Sequence, residues 1–224
     1  MRKTVPAFAP FALLALLAPF LFASCLGASM DISLRPDGSG RIVLEYRVSR
    51  MLESLGRFDG NERWHAIPVG RADLERSLAR IPGMRLVSFS SAASADSADG
   101  ASAGDLVTRA ELEFANPAAL VAFIDFTGSR AEISRENGAN RLRVVLLDPC
   151  TPIEDADLLS LIGEISSGYE IRIGLGLPGA AGLETVPATV PGARREVSGG
   201  NVSFAIDTGQ IPQITDGLAL EVSW

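Results

Sequence analysis

Met30-Asp31-Ile32-Ser33-Leu34-Arg35-Pro36-Asp37-Gly38-Ser39-Gly40-Arg41-Ile42-Val43-Leu44-Glu45-Tyr46-Arg47-Val48 is the stretch on which the fold turns. Met30, Ile32 and Leu34 alternate with Asp31 and Ser33, and Ile42, Leu44, Tyr46 and Val48 alternate with Val43, Glu45 and Arg47. A period of two puts each apolar set on one face of a strand. Pro36 to Gly40 lies between them, and its Asp-Gly and Gly residues supply the positive φ of a tight turn. A hairpin with one buried face follows.

Downstream the pattern repeats with helices interposed. Arg71 to Ile81 reads as a helix with Leu74, Leu78 and Ile81 at i, i+4 and i+7, stopped by Pro82-Gly83. Met84 to Ser90 is a strand, with Leu86 and Phe89 packed. Residues 91–104 contain nothing larger than Asp to bury and read as a flexible loop. Leu106 to Phe114 resumes the alternation. Asn116-Pro117 caps and starts a helix over 117–127, with Gly128 as its stop. Residues 131–135 and 141–147 form another hairpin, and the second of these strands has the most buried-looking run in the chain. Thr151-Pro152-Ile153-Glu154 has the pattern of a capping box for a helix over 153–166. Tyr169 to Leu177 is a strand, residues 178–192 a Gly/Pro/Ala loop, and residues 201–207 and 218–224 are closing strands. Ser49 to Leu55 reads as a short helix. Hairpins joined through about three helices predict an α+β fold with largely antiparallel sheets.

Upstream, Arg2 and Lys3 precede a wholly apolar run from Ala7 to Phe22, then the small residues Ala23 and Ser24, then Cys25. This is the three-part layout of a secretory signal. At 16 residues, with Pro10 and Pro19 inside it, the run falls short of the ~20 that a spanning helix needs. Leu21-Phe22-Ala23-Ser24-Cys25 resembles the lipobox of bacterial prolipoproteins, with Phe22 where Leu is usual. The resemblance implies cleavage after residue 24 and a diacylglycerol on Cys25. Residues 1–24 are then a signal peptide, 25–29 a lipidated tether and 30–224 one domain. The membrane is the first expected partner, and such a tether reaches at most ~17 Å from it. Leu26, rather than an Asp, after the anchor favours an outer membrane.

Loss of Arg2 and Lys3 takes the formal charge from −7 to about −9 and leaves arginine as the only basic residue besides His65. An acidic domain is repelled by anionic lipid and by nucleic acid, so the lipid must provide attachment and no nucleic-acid partner is expected. With Cys25 acylated, Cys150 is the only thiol left, and no internal disulfide forms.

Arg35-Pro36-Asp37-Gly38-Ser39-Gly40, Phe114-Ala115-Asn116-Pro117-Ala118-Ala119-Leu120, Leu177-Pro178-Gly179, Pro191-Gly192, Gly200-Asn201-Val202-Ser203-Phe204 and Leu220-Glu221-Val222-Ser223-Trp224 together resemble the LppM-like group of small bacterial lipoproteins. That resemblance implies an envelope α+β domain in contact with lipid or glycolipid. It carries over no catalytic residue.

No stretch nominates a catalytic, cofactor or metal site. Gly174-x-Gly176-x-x-Gly179 has dinucleotide spacing, but no helical pattern follows and Pro178 removes an amide donor. A strand running into a turn is the better reading. His65, the single histidine, sits beside Trp64 with no G-x-S-x-G serine elsewhere to activate. Cys150 would gain reactivity only at a helix N-terminus. Glu154, Asp155 and Asp157 compensate a helix dipole rather than hold calcium. The expected function is therefore a non-catalytic binding module for a lipid, a glycan or an envelope protein. A lipid or glycan ligand predicts an apolar groove between a sheet and the helices near 71–81, 117–127 or 153–166. The alternative is an assembly lipoprotein acting through protein contacts alone.

Overall fold

The computed structural model describes residues 26–48, 70–93, 105–125, 130–136 and 138–224. In chain order the elements are β1 (Leu26–Leu34), β2 (Gly40–Val48), α1 (Arg71–Leu78), β3 (Met84–Ala93), β4 (Leu106–Phe114), α2 (Pro117–Ile124), β5 (Ala131–Glu136), β6 (Ala139–Leu147), α3 (Ala156–Ile165), β7 (Glu170–Gly176), β8 (Gly182–Val186), β9 (Ala193–Ser198), β10 (Asn201–Asp207), a 3-10 turn (Thr208–Gln213) and β11 (Leu218–Ser223). This is an α+β fold in which strands dominate.

Two sheets form. The larger has the order β3-β4-β2-β1-β7-β10-β9, and the smaller β5-β6-β11-β8. Adjacent strands run antiparallel except β1 and β7, which pair in parallel with Met30 opposite Ile173. A parallel pair needs a crossover, and the chain between β1 and β7 supplies it. Ile32, Ile42, Leu112, Phe114, Leu175 and Phe204 from the first sheet share one cluster with Leu142, Leu220 and Val222 from the second. Leu74, Leu78, Ala119 and Leu120 bring α1 and α2 into that cluster.

The β1–β2 turn is held locally. Arg35 N–H donates to the Ser39 carbonyl at 2.8 Å, and Gly38 takes φ +82°. Asp37 Oδ1 accepts from both the amide (2.9 Å) and the hydroxyl (2.7 Å) of Ser39. The Ser39 hydroxyl, and then its amide, hold the Asp37 carboxyl below its ordinary pKa.

Several boundaries differ from the sequence reading. β1 begins at Leu26, so residues 26–29 are strand rather than tether, because β2 offers ladder partners to all four and β7 to Ala28 and Ser29. Ser91–Ala93 continue β3, opposite Thr108 to Leu106, which leaves only 94–104 of the expected loop outside the described residues. A bulge between Leu86 and Ser88 shifts the face, which is why Leu86 and Phe89, three apart, both pack on the core. α3 starts at Ala156, not at the Thr151 capping box. Asp155 wins the cap because its side chain accepts from both Asp157 N and Leu158 N at 3.0 Å. Within 178–192, residues 182–186 are a strand, β8, on the edge of the smaller sheet. The most buried strands are β10 and β11 rather than β6. The reading of 49–55 as a helix and Gly128 as a stop lie outside the described residues.

Two measurements test this packing. A Cβ on Gly40 would stand 2.2 Å from both the Ser33 carbonyl oxygen and Phe114 Cζ. Gly40→Ala is therefore expected to cost ~1–3 kcal/mol in urea unfolding; an unchanged midpoint would show that β2 does not lie this close to Phe114. Burial pushes the Tyr46 hydroxyl up to about 12 from its ordinary 10.0. The phenol then stays neutral in the folded chain after ionising in the unfolded one. Stability should be intact below pH ~10 and fall by up to about 2–3 kcal/mol as pH rises to ~12. Tyr46→Phe should remove that alkaline loss, and a mutant with an unaltered alkaline limb would contradict the burial of this ring.

Candidate polar groove

The face of the larger sheet away from the core carries the other half of each alternation. One row runs straight across six strands: Arg109 (β4), Glu45 (β2), Ser29 (β1), Arg172 (β7), Ala205 (β10) and Arg194 (β9). A neighbouring row places Val43 opposite Asp31, and Asp31 opposite Gly174. On the other side of the first row, Arg47 stands opposite Gly27, and Glu170 opposite Asp207. The outward side chains of β1 at Gly27 and Ser29 are small, while those of β2 and β7 on either side are long. The result is a groove of about 590 Å³ along β1, lined by side chains from β1, β2, β4, β7, β9 and the end of β10.

Four guanidinium groups (Arg47, Arg109, Arg172, Arg194) and four carboxylates (Asp31, Glu45, Glu170, Asp207) line it. Arg172 Nη2 donates to Asp31 Oδ2 at 2.9 Å, Arg47 Nε donates to Glu45 Oε1 at 2.9 Å, and Arg194 pairs with Glu170. Asp207 is turned to the backbone, where its Oδ1 accepts from Gly209 N at 2.8 Å as the cap of the 3-10 turn. Arg109 forms no ion pair among the described residues and opens onto the groove.

Two glycines and one tyrosine shape the site. A Cβ on Gly174 would fall 2.3 Å from Asp31 Oδ1, so the missing side chain is what lets the Asp31 carboxylate lean across β7 to Arg172. Gly27 lies under the Tyr169 ring, whose Cδ1 would be 3.5 Å from a Cβ there. The Tyr169 hydroxyl donates to Asp105 Oδ2 at 2.9 Å. Asp105 is buried at the start of β4. The Tyr169–Asp105 bond thus ties β7 to β4 over the end of the groove where β1 begins.

The residues singled out in the sequence go elsewhere. Cys25, Trp64 and His65 lie outside the described residues. Cys150 is half-buried on the loop before α3, six residues ahead of the helix start, and its Sγ donates to the Ile214 carbonyl at 3.7 Å. That removes the helix N-terminus on which its reactivity depended. Gly174 and Gly176 end β7 and Gly179 lies in the following turn, as a strand-and-turn reading requires. Asp155 and Asp157 belong to the first turn of α3. Among the described residues no group of three or more His, Cys, Asp or Glu could hold a metal ion, and no helix is long and apolar enough to cross a membrane. The described groove is polar and opens on the outer sheet face, not between a sheet and the helices as expected. The residues that line it were visible only as the polar half of each strand; what joins them is lateral register.

No family model matches the chain, and no curated protein does. Among solved structures it is similar to the folded domain of LppM from Mycobacterium tuberculosis, an NMR structure, at 14% identity, with 88% of each chain covered and a TM-score of 0.44. A likeness at that level assigns neither family nor activity.

Tyr169→Phe removes a hydrogen bond to a buried carboxylate and is expected to cost ~1.5–3 kcal/mol. Chemical denaturation checks it: a loss under half a kcal/mol would mean that the Tyr169–Asp105 bond does not hold the groove end.

Proposed function

We propose that this chain is a lipoprotein of the bacterial cell envelope, anchored through Cys25, whose domain is a non-catalytic binding module with the polar groove as its site. One observation carries the reading. The groove floor is made of Gly27, Ala28 and Ser29, the opening residues of β1, which follow Cys25 directly. Acyl chains on Cys25 would hold that floor among the lipid headgroups, since no tether intervenes. Each buried CH₂ contributes ~0.8 kcal/mol and a single chain anchors only marginally, so two or three chains give lasting attachment. The outer membrane is the favoured location, from Leu26 behind the anchor.

The groove suits holding rather than reaction. Asp31, Glu45 and Glu170 are each engaged by a guanidinium, so none stands open to take a proton from a substrate. The assembly alternative has its own support. β8 and β9 are open edges of the two sheets, joined by Arg195 Nη1 donating to Thr185 Oγ1 at 3.1 Å, and each exposes a valine, Val186 and Val197.

Attachment is tested by labelling cells with a fatty acid. The wild-type chain should incorporate it and fractionate with membranes, and Cys25→Ala should do neither. A Cys25→Ala chain that still incorporates label would overturn the anchor.

A further inference from the structure

We infer that β3 is a pairing edge for a second copy of this chain: two copies join β3 to β3 about a two-fold axis and make one continuous sheet across the pair. This rests on the reading of Cys25 as the membrane anchor.

β3 is the less protected edge of the larger sheet. Sheet edges avoid pairing through charged side chains, proline, bulges or cover. The bulge between Leu86 and Ser88 guards only the start of β3. From residue 88 to 93 the strand reads Ser, Phe, Ser, Ser, Ala, Ala, with neither a charge nor a proline, and all but Phe89 are exposed. Among the described residues none hydrogen-bonds to its outer edge. β9, at the other end of the sheet, carries Arg194, Arg195 and Glu196 in its middle, and Arg195 reaches across to Thr185 of β8.

Charge selects a second copy of β3 as the occupant. Two-fold pairing sets each residue near its own counterpart, so a charged edge meets its own charge. A pair made through β9 would bring Arg195 against Arg195. Residues 88–93 meet no such cost. Ser88 and Ser90, which lie on the outer face opposite Glu111 and Arg109 of β4, would face small side chains of the other copy, where hydroxyls hydrogen-bond across the ladder. On the core side Phe89, only half-buried, gains cover.

Sheet twist then decides between a closed pair and an open chain of copies. β1 is the central strand, three places from β3 and three from β9, so seven steps separate β1 of one copy from β1 of the next through either edge. At −20 to −25° per step, seven steps turn the strands by roughly 150°. Pairing β9 of one copy to β3 of the next starts with the two β1 strands aligned, and the twist turns the second anchor away from the membrane. Pairing β3 to β3 starts with them reversed, and the same twist brings them back to within roughly 30° of one direction. Both copies of Leu26 then face one side, as two anchors in one membrane require. A ladder over residues 88–93 buries less than the ~1,200 Å² of a stable soluble complex. The pair therefore depends on the anchors, which confine the copies to one plane and raise their effective concentration.

Disulfide trapping in native membranes tests this on the full-length chain with Cys150→Ser. Ser90→Cys should give a covalent dimer on oxidation and nothing larger, because a two-fold contact closes. Ser198→Cys, exposed on β9, should stay monomeric. Ser88→Lys with Ala92→Lys, which installs the edge lysines that block pairing, should cut co-isolation of two differently tagged copies roughly tenfold. Pairing should return when that chain is co-expressed with one carrying Ser88→Glu and Ala92→Glu, which a misfolded chain would not do. Equal trapping through Ser198→Cys, or a ladder of higher species, overturns the inference. Fatty-acid labelling of the same samples separates its failure from that of the anchor. A labelled Ser90→Cys chain that gives no dimer overturns the pairing alone, whereas a chain without label overturns the anchor and the pairing that depends on it.

Discussion

Successive side chains of a strand point to opposite faces, so a slip of one residue in β1 would exchange its whole inner set for its outer one. Ile32 would turn outward, and Asp31 and Ser33 would turn into a core that also holds Ile42, Leu112, Ile173 and Phe204. Burying one carboxylate without a partner costs more than the hairpin can supply. The Pro36–Gly40 turn prevents the slip from one side, because the Arg35–Ser39 bond and the Asp37–Ser39 pair fix where β2 begins. The parallel ladder to β7 prevents it from the other, with Ile32 locked opposite Leu175. Once β1 is fixed, the rows across the sheet are fixed, and the groove is one consequence of them.

Much of this was legible in the sequence where local signals agree. β4 runs over the residues its alternation marks, and Asn116 caps α2 by accepting from Ala119 N at 2.9 Å. The misses occur where local chemistry competes or is thin. Thr151 and Glu154 spell a capping box, yet Asp155 offers one carboxylate to two amides and takes the helix start. β8, inside the stretch read as loop, and β9, which the sequence reading leaves unassigned, are short edge strands whose side chains are largely exposed, so their alternation buries little and marks no strand. The groove was not legible at all. Arg47, Arg109, Arg172 and Arg194 come from four strands of a seven-stranded sheet, and only lateral pairing makes them neighbours.

Gly174 shows how a motif can be right in position and different in meaning. The spacing of Gly174 and Gly176 suggests a phosphate cradle, but neither glycine has positive φ and no helix follows within the turn. Gly174 is small because Asp31 from the neighbouring strand occupies the space its Cβ would need. The glycine serves a carboxylate, and through it an arginine.

The ion pairs of the groove are not there for stability. Side chains of Arg172 and Asp31 are 48% and 46% exposed, and such pairs contribute only ~0–1 kcal/mol. What they fix is direction. A lone surface arginine samples many rotamers, and each one immobilised on binding costs affinity. A guanidinium already held by a carboxylate has lost that freedom before a ligand arrives. The same pairing cancels the field that would draw in phosphate. A chain that is strongly acidic overall thus builds a patch that is neutral in sum and dense in fixed donors and acceptors, on the strand that directly follows Cys25.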